Sequence, residues 1–223
     1  EVAMKLEGTP TTDPAFGLPA VWIDVAMREQ AQIAGYTVVD ASTVIATHLN
    51  HLMHRHGSQL LGRQEVQQLL EHIGRDAPKL VEDLVPKTIS LTLLQRTLRG
   101  LLDEEVPIRD ARTIVESIVE NAPRLAAANT TGTGPDPAEL LQQVRIALGR
   151  AITQQWFPSG DEIRVIGLDP KLERVLTQAV TSSGALEPGL ADTLLQEAQR
   201  TVNQQEANGD PAVLVVPPVL RSA

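Results

Sequence analysis

The chain has 223 residues, enough for one large domain or two to three small ones with a real hydrophobic core. Its 28 acidic residues outnumber its 19 Lys and Arg residues, and the net charge of -9 argues against binding to nucleic-acid phosphate or to anionic membrane surfaces. The chain has no cysteine, which excludes disulfides, thiolate nucleophiles and Cys-ligated zinc and favours a reducing compartment.

The N-terminal part of the chain alternates short apolar runs with two helical segments. EVAMKLEGT, AVWI and YTVV predict strands, and the Pro- and Gly-containing TTDPAFGLP between the first two predicts a turn. Asp24 is placed to cap a helix that Gly35 ends, and Asp40 is placed to cap a second helix that runs to Gly57. The apolar spacing of this second helix predicts the face that turns towards the core: Ile45, Leu49 and Leu52.

From Gln64 onwards the pattern is wholly helical. Four segments follow one another with short connections: QEVQQLLEHI, PKLVEDLV, SLTLLQRTLRGLL and IRDARTIVESIVENA. Prolines 78, 86, 107 and 123 separate and end them. Residues 64–122 are therefore predicted to form a compact all-helical module.

The C-terminal part begins after a small-residue stretch, AAANTTGTGPDP at 126–137, which predicts a flexible connection. Asp136 then begins a helix expected to run through Gln155. Two apolar runs, 163–168 and 213–216, are separated by two helical segments, and we expect them to lie in one sheet. The fold class predicted is mixed α and β, predominantly helical and multi-subdomain, with small α/β pieces at both ends flanking a central all-helical module.

Four of the five histidines lie in THLNHLMHRH, and they do not form a predicted metal site. On a helical wheel of ~100° per residue, His48, His51, His54 and His56 spiral around the helix, and no Asp or Glu lies among them. Because a site needs several ligands that converge on one ion, we predict no native metal and no cofactor. The chain has no GxSxG, P-loop or HExxH motif, so nothing in the sequence indicates an enzyme active site.

Two features have both a structural and a functional interpretation. Phe16 sits among turn-forming residues, where it either fills a local core or stands exposed as an anchor for a partner. Val44, Thr47 and His51 share a flank of their helix away from the expected core face, which is either solvated surface or a docking surface. The residues alone do not decide between these interpretations.

Seven long motifs run in order through the chain: DPAFGLPAVWI, GYTVVDASTVIATHLNHLM, LLGRQEVQQLL, PKLVEDLVP, VPIRDARTIVE, VRIALGRAITQQW and LEPGLADTLL. Together they resemble the cytoplasmic domain of the FlhA family, the flagellar type III export-gate proteins. GRAITQQWFP is similar to the flagellar branch rather than to the injectisome branch. The resemblance implies a piece of a longer protein, which reaches the bacterial inner membrane through a part preceding this chain and assembles into a ring, nonameric in the family.

The resemblance also implies how the chain is divided. Residues 1–39 are expected to be a partial α/β substrate-docking subdomain, and 40–62 a helix of the preceding subdomain that forms a wall of the docking cleft. Residues 63–125 are the helical subdomain, 126–137 the flexible connection, and 138–223 a truncated C-terminal α/β subdomain.

The function implied by the resemblance is a non-enzymatic docking platform on the cytoplasmic face of the inner membrane. It would bind flagellar export chaperones with their substrates and hand flagellar proteins to the membrane pore. Other export-apparatus proteins and copies of the chain are further expected partners, and nucleic acid is not. By motif, the family's docking dimple carries over to six residues: Ala3, Asp13, Phe16, Val39, Val44 and Thr47. A ring-building module without direct substrate binding, and a regulatory or catalytic domain, are the alternatives.

Overall fold

The computed structural model describes residues 7–130, 134–157, 162–182 and 188–221, and most of these residues are helical. Within them the strands form two small two-stranded sheets, so the predicted mixed and predominantly helical fold class is confirmed. The chain divides into two compact units, Glu1–Asp110 and Ala111–Ala223. The subdomain boundaries expected from the sequence stay predictions.

The first unit begins with a β-hairpin. Strands β1 (Thr9–Thr12) and β2 (Pro19–Trp22) pair antiparallel, so the predicted strand at AVWI and the turn before it are confirmed. The predicted strand at YTVV is wrong: residues 36–40 form no strand. The physical reason is that, within the described residues, β1 and β2 pair only with each other and no strand lies beside YTVV.

Two helical segments predicted next are confirmed, together with their caps. Asp24 caps a short 3₁₀ turn, Val25–Met27, which leads into helix α1 (Arg28–Ile33). Gly35 follows with a φ of 86°, a conformation that glycine adopts without steric cost and that ends the helix. Helix α2 (Ala41–Arg55) begins after Asp40, whose Oδ1 accepts a hydrogen bond of 2.7 Å from the backbone N–H of Thr43.

The predicted core face of α2 is wrong. Ile45 and Leu49 are 68% and 56% exposed, whereas Val44 and Thr47 are half-buried. No residue of α2 is fully buried, because no other described element covers the stripe of Ile45, Leu49 and Leu52. Apolar periodicity identified an amphipathic helix, but which flank turns inwards depends on the neighbouring elements.

The core of the first unit lies among short helices that follow α2. They are α3 (Gly57–Leu60), α4 (Arg63–Asp76), α5 (Pro78–Glu82), a π-type turn (Asp83–Thr88) and α6 (Leu91–Asp103). Helices α3 and α4 both pack against α6, and the buried side chains include Val66, Leu70, Ile73, Leu84, Leu94, Leu98 and Leu101. Two α6 side chains also bond one main-chain atom: Gln95 Nε2 and Arg99 Nε donate to the Leu61 carbonyl at 3.0 and 2.9 Å.

The second unit contains a packed helix pair, α7 (Ala111–Ala128) and α8 (Pro137–Ala147). Pro123 was expected to end a helix, but α7 continues through it to Ala128, into the stretch predicted as a connection. Burial of the α7 face against its neighbours outweighs the unfavourable effect of one proline. The buried side chains here include Ile114, Val115, Ile118, Leu125, Leu140 and Val144.

The helix expected to run from Asp136 through Gln155 is interrupted. Asp136 caps α8 as predicted, but Leu148, with a ψ of 4°, separates α8 from α9 (Gly149–Trp156). The weak helix propensity of Gly149 allows the break. The residue pattern therefore located the beginning of this helical segment correctly and missed its kink.

A small parallel sheet lies in the rest of the second unit. Strands β3 (Ile166–Gly167) and β4 (Leu214–Val215) pair, so the prediction that the two apolar runs share one sheet is confirmed. Helices α10 (Pro170–Thr181) and α11 (Pro188–Ala207) connect them, and α12 (Pro218–Arg221) follows. Gln142 Nε2 of α8 donates to the Pro218 carbonyl at 2.8 Å and joins this region to the helix pair.

Candidate protein-docking site

Phe16 lies in the loop that joins β1 to β2. The Asp13 Oδ1 accepts hydrogen bonds from the backbone N–H groups of Ala15, at 2.9 Å, and Phe16, at 2.8 Å. The Asp13 N–H donates to the Leu18 carbonyl at 2.8 Å, and the Gly17 N–H donates to the Asp13 carbonyl at 2.9 Å. Gly17 has a φ of 68°, which suits glycine in a tight turn. The loop is therefore held in one shape by its own residues.

The Phe16 side chain is 67% exposed, so it does not fill a local core. Other apolar side chains of the same hairpin are also exposed: Leu18, Val21 and Trp22. The hairpin thus presents an aromatic and apolar surface to solvent, which is unusual because exposed apolar groups of this size commonly mark interaction sites. Of the two interpretations of Phe16, the exposed position favours the anchor.

The expected opposite wall lies on α2 and on the residue that leads into it. Val44 and Thr47 are half-buried on the same side of α2, and Val39 is 50% exposed before the helix begins. The Asp40 cap fixes the start of the helix: the Ser42 hydroxyl donates to Asp40 Oδ1 at 2.7 Å, and with the Thr43 N–H it lowers the pKa of Asp40 to about 2. A charged cap of this kind anchors the first turn that carries Val44.

The structure brings some of the predicted site residues together and not others. Asp13 and Phe16 belong to one loop, while Val44 and Thr47 belong to one helical face. The hairpin and α2 form no extensive contact within the described residues, so these two groups are presented on separate elements. Ala3 lies outside the described residues. Whether the six residues line one dimple stays a prediction.

Sequence reasoning did not include Leu18 and Trp22 in the site. The AVWI pattern predicts an apolar strand, and a strand pattern alone does not show which of its side chains stay exposed. The signal that could have found them is the size of the sheet, because a two-stranded hairpin cannot bury apolar side chains on both faces.

The histidine cluster has no metal-ligand geometry in the described part of the chain. No group of three His, Asp or Glu side chains there could hold an ion. The His56 Nδ1 lies 3.3 Å from Gln59 Nε2, whereas the His48 Nδ1 is buried without a hydrogen-bond partner among the described residues. No helix in the described ranges has both the length and the apolar character needed to cross a bilayer.

Comparison with known proteins assigns the chain to a family. The model of the FHIPEP family matches residues 1–223, the full length of the chain. The chain belongs to the FHIPEP family. This FHIPEP chain is 57% identical over 219 residues to the flagellar biosynthesis protein FlhA of Escherichia coli K12, and the match covers 98% of this chain and 30% of that protein. The FlhA of Salmonella typhimurium is 55% identical over 219 residues, with the same two shares.

Two solved structures of a chlamydial protein have a similar fold. The CdsV protein of Chlamydia pneumoniae matches with a TM-score of 0.78 and 27% identity over 98% of this chain and 61% of that one. CdsV solved together with CdsO matches with a TM-score of 0.75 at 27% identity, over 98% of this chain and 62% of the other. The FHIPEP chain described here spans 30% of the length of the two FlhA proteins that it matches.

Proposed function

We propose that this chain is part of the cytoplasmic docking platform of the flagellar type III export gate. It receives export chaperones with bound substrates, at the cytoplasmic face of the bacterial inner membrane, and hands flagellar proteins to the membrane pore. It acts by binding and not as an enzyme. The observation that carries the proposal is the exposed Phe16 on a loop whose shape Asp13 holds.

The family supports the export role. The two FlhA relatives described above, which share more than half of their aligned residues with this chain, are flagellar biosynthesis proteins. CdsV has been solved together with a second protein, CdsO, which supports a fold that binds other proteins. We propose that the longer protein assembles into a ring and contacts other components of the export apparatus, with membrane contact made by a part that this chain does not contain.

The proposed docking surface combines the hairpin with α2. Phe16 is the apolar anchor, and Val39 and Val44 supply further apolar lining. Ala3, which the resemblance adds to this set, lies outside the described residues. Thr47 offers a hydroxyl at the rim, where it orients the partner and helps select which chaperone is accepted. The half-burial of Val44 and Thr47 fits a concave wall better than a fully solvated face.

The test of this proposal is Phe16→Ala, titrated calorimetrically with a flagellar export chaperone loaded with its substrate. Burial of a phenylalanine contributes roughly 1.5 to 3 kcal/mol, and truncation of a central aromatic anchor costs about 2 kcal/mol or more. We therefore expect binding to weaken at least ~10-fold. The melting temperature should not change, because the side chain is mostly exposed in the free protein.

Leu195→Ala is the matched control, since Leu195 lies on α11 and is 69% exposed, close to the exposure of Phe16. It should bind the chaperone as the wild type does. Unchanged binding by Phe16→Ala with an unchanged melt would exclude the hairpin as the docking surface. Thr47→Met should weaken binding less than Phe16→Ala and change the relative affinities for different chaperones.

A further inference from the structure

The sequence contains a single Asn-Gly pair, Asn208–Gly209, and the structure places it at the C-terminal end of α11. Asn208 is exposed and directly follows Ala207, the last residue of the helix. Its side-chain amide makes no hydrogen bond within the described part of the chain, so the side chain is free to rotate. The proposed docking surface does not use this pair.

The nitrogen of Gly209 can approach the Asn208 side chain without a steric obstacle. Glycine lacks the Cβ that hinders such an approach in other residues. The space around Gly209 is open as well, because no atom beyond the adjacent residues lies within 4 Å of the position that a Cβ would take. A main-chain nitrogen that reaches the Cγ of a preceding asparagine is placed to attack it.

Three main-chain hydrogen bonds close this turn in the folded chain. The Gly209 N–H donates to the Glu206 carbonyl at 2.9 Å, and the Asn208 and Asp210 N–H groups donate to the Gln205 carbonyl at 3.1 and 3.3 Å. With the φ of 81° at Gly209, this is an arrangement that commonly ends helices. Because the Gly209 N–H is engaged, its nitrogen can attack Asn208 only after the turn opens.

The end of α11 is exposed, which makes this opening inexpensive. Residues 203–204 and 206–209 are exposed, and Gln205 is half-buried. Exposed helix ends open at the low end of the free-energy range for local unfolding. The turn therefore samples open conformations while the rest of its unit stays folded.

We propose that Asn208 is a site of spontaneous deamidation, which proceeds when this turn opens. The Gly209 nitrogen loses its proton to solvent and attacks Asn208 Cγ. The new N–Cγ bond closes a five-membered succinimide ring, and the Cγ–Nδ2 bond breaks with release of ammonia. Water then opens the ring: cleavage of the bond to Cγ gives aspartate, and cleavage of the bond to the main-chain carbonyl carbon gives isoaspartate. Water is the only co-reactant, and nothing is oxidised or reduced.

Both products alter the connection between α11 and β4. A new carboxylate at position 208 lies at the C-terminal end of a helix, where the partial charge is negative, and it weakens the last turn. Isoaspartate also lengthens the main chain just before Asp210, whose Oδ2 lies 3.3 Å from Arg164 Nη1. Three residues later, the Val213 carbonyl accepts from the Ile166 N–H at 2.8 Å. The isoaspartate form should therefore loosen the pairing of β3 with β4.

The test is a timed incubation of the full chain at mildly alkaline pH, followed by digestion and mass spectrometry. The fragment that contains Asn208 should gain about 1 Da, because NH₂ is replaced by OH, and should separate into aspartate and isoaspartate forms. Asn50 and Asn203 are internal controls, since both are exposed but lie inside helices and are followed by residues that have side chains. They should stay unmodified over the same period.

A blocked peptide of residues 204–212 measures the same reaction without the closed turn. The folded chain should deamidate about tenfold more slowly than the peptide, because the hydrogen bond of the Gly209 N–H must open first. Urea should bring the two rates together.

Two variants separate the chemistry from its consequence. Asn208→Gln keeps the amide but would have to close a less favourable six-membered ring, so it should not gain mass. Asn208→Asp has one of the two products from the start, and its Gly209 amide should exchange with solvent about two- to fivefold faster than in the wild type.

Four results would overturn the proposal or one of its steps. If Asn208 is modified no more than Asn50 and Asn203, it is not a special site. A product without isoaspartate would exclude the succinimide, and a folded-chain rate equal to the peptide rate would exclude control by the turn. Unchanged exchange of the Ile166 amide in the isoaspartate form would show that the modification does not reach the sheet.

Discussion

At the scale of single residues, Asp13 shapes the loop between β1 and β2 through its own hydrogen bonds. The motif implied that this carboxylate contacts the partner, yet its Oδ1 accepts the N–H groups of Ala15 and Phe16. A side chain that holds the loop in one conformation reduces the entropy that binding must remove. We therefore propose that Asp13 contributes to docking by positioning Phe16.

Asp13→Ala should weaken chaperone binding without removing the anchor itself. A hydrogen bond of this kind contributes roughly 0.5 to 1.5 kcal/mol, and only the part that orders the loop for binding is lost from the affinity, so we expect binding about three- to tenfold weaker. Asp13→Asn should retain most of the affinity, because an Asn side chain makes the same turn. Calorimetric titration measures the affinities, and amide exchange at Ala15 and Phe16 measures the loop.

The comparison of the two variants separates positioning from direct contact. If Asn restores slow amide exchange but not the affinity, the carboxylate charge contacts the partner directly. If both variants bind like the wild type, the loop conformation does not matter for docking.

At the scale of elements, the Asp40 cap makes the start of α2 sensitive to acid. Its pKa in the folded chain is about 2, below the ordinary value of 3.8, because the Ser42 hydroxyl and the Thr43 N–H bond the charged form. The unfolded chain thus takes up the proton first as the pH falls. The stabilisation is fully present above a pH of about 4 and is lost between about pH 4 and pH 2.

Asp40→Asn should remove this dependence while keeping a cap on the helix. We expect the urea midpoint of the wild type to fall more steeply than that of Asp40→Asn as the pH is lowered from 5 to 2. Amide exchange at Thr43 and Val44 should show the same difference locally. Parallel acid profiles for the two proteins would show that the cap charge does not stabilise α2.

The sequence predicted those elements whose signals are local. Asp24, Asp40 and Asp136 were identified as caps because a short acceptor side chain at a helix start acts within three residues. The exposed flank of α2 and the missing strand at YTVV could not be predicted this way, because both depend on which elements lie beside them. The candidate site divides in the same way. An aromatic residue within a turn, Phe16, is recognisable from the local sequence, whereas Val44 and Thr47 were assigned to the site by resemblance.

At the scale of the whole molecule, stability is concentrated in helix packing and not in the sheets. Both sheets have two strands, and the described strand residues are mostly exposed. The fully buried large side chains instead belong mainly to α6, α7 and α8 and to the helices beside them. The loss of stability on truncating an apolar residue should therefore depend on whether its helix buries it, and not on the residue type.

Two leucines provide a matched test of this distribution. Leu98 on α6 is 1% exposed and Leu49 on α2 is 56% exposed. Leu98→Ala should lower the free energy of unfolding by about 2 to 5 kcal/mol, whereas Leu49→Ala should change it by no more than about 0.5 kcal/mol. Urea denaturation of the two variants measures both values, and similar losses would mean that α2 is covered in the folded chain.

The Leu61 carbonyl, at the end of α3, accepts hydrogen bonds from two side chains of α6, Gln95 and Arg99. The hydrogen bonding between these two helices is therefore redundant. A carbonyl oxygen has two lone pairs, so either donor alone still satisfies it when the other is lost. Because the acceptor is a main-chain atom, substitution at position 61 does not remove it. A substitution of Gln95 alone or of Arg99 alone should therefore cost little stability. Loss of the second donor after the first would leave the carbonyl unpaired and cost more, so the two positions should evolve as a coupled pair.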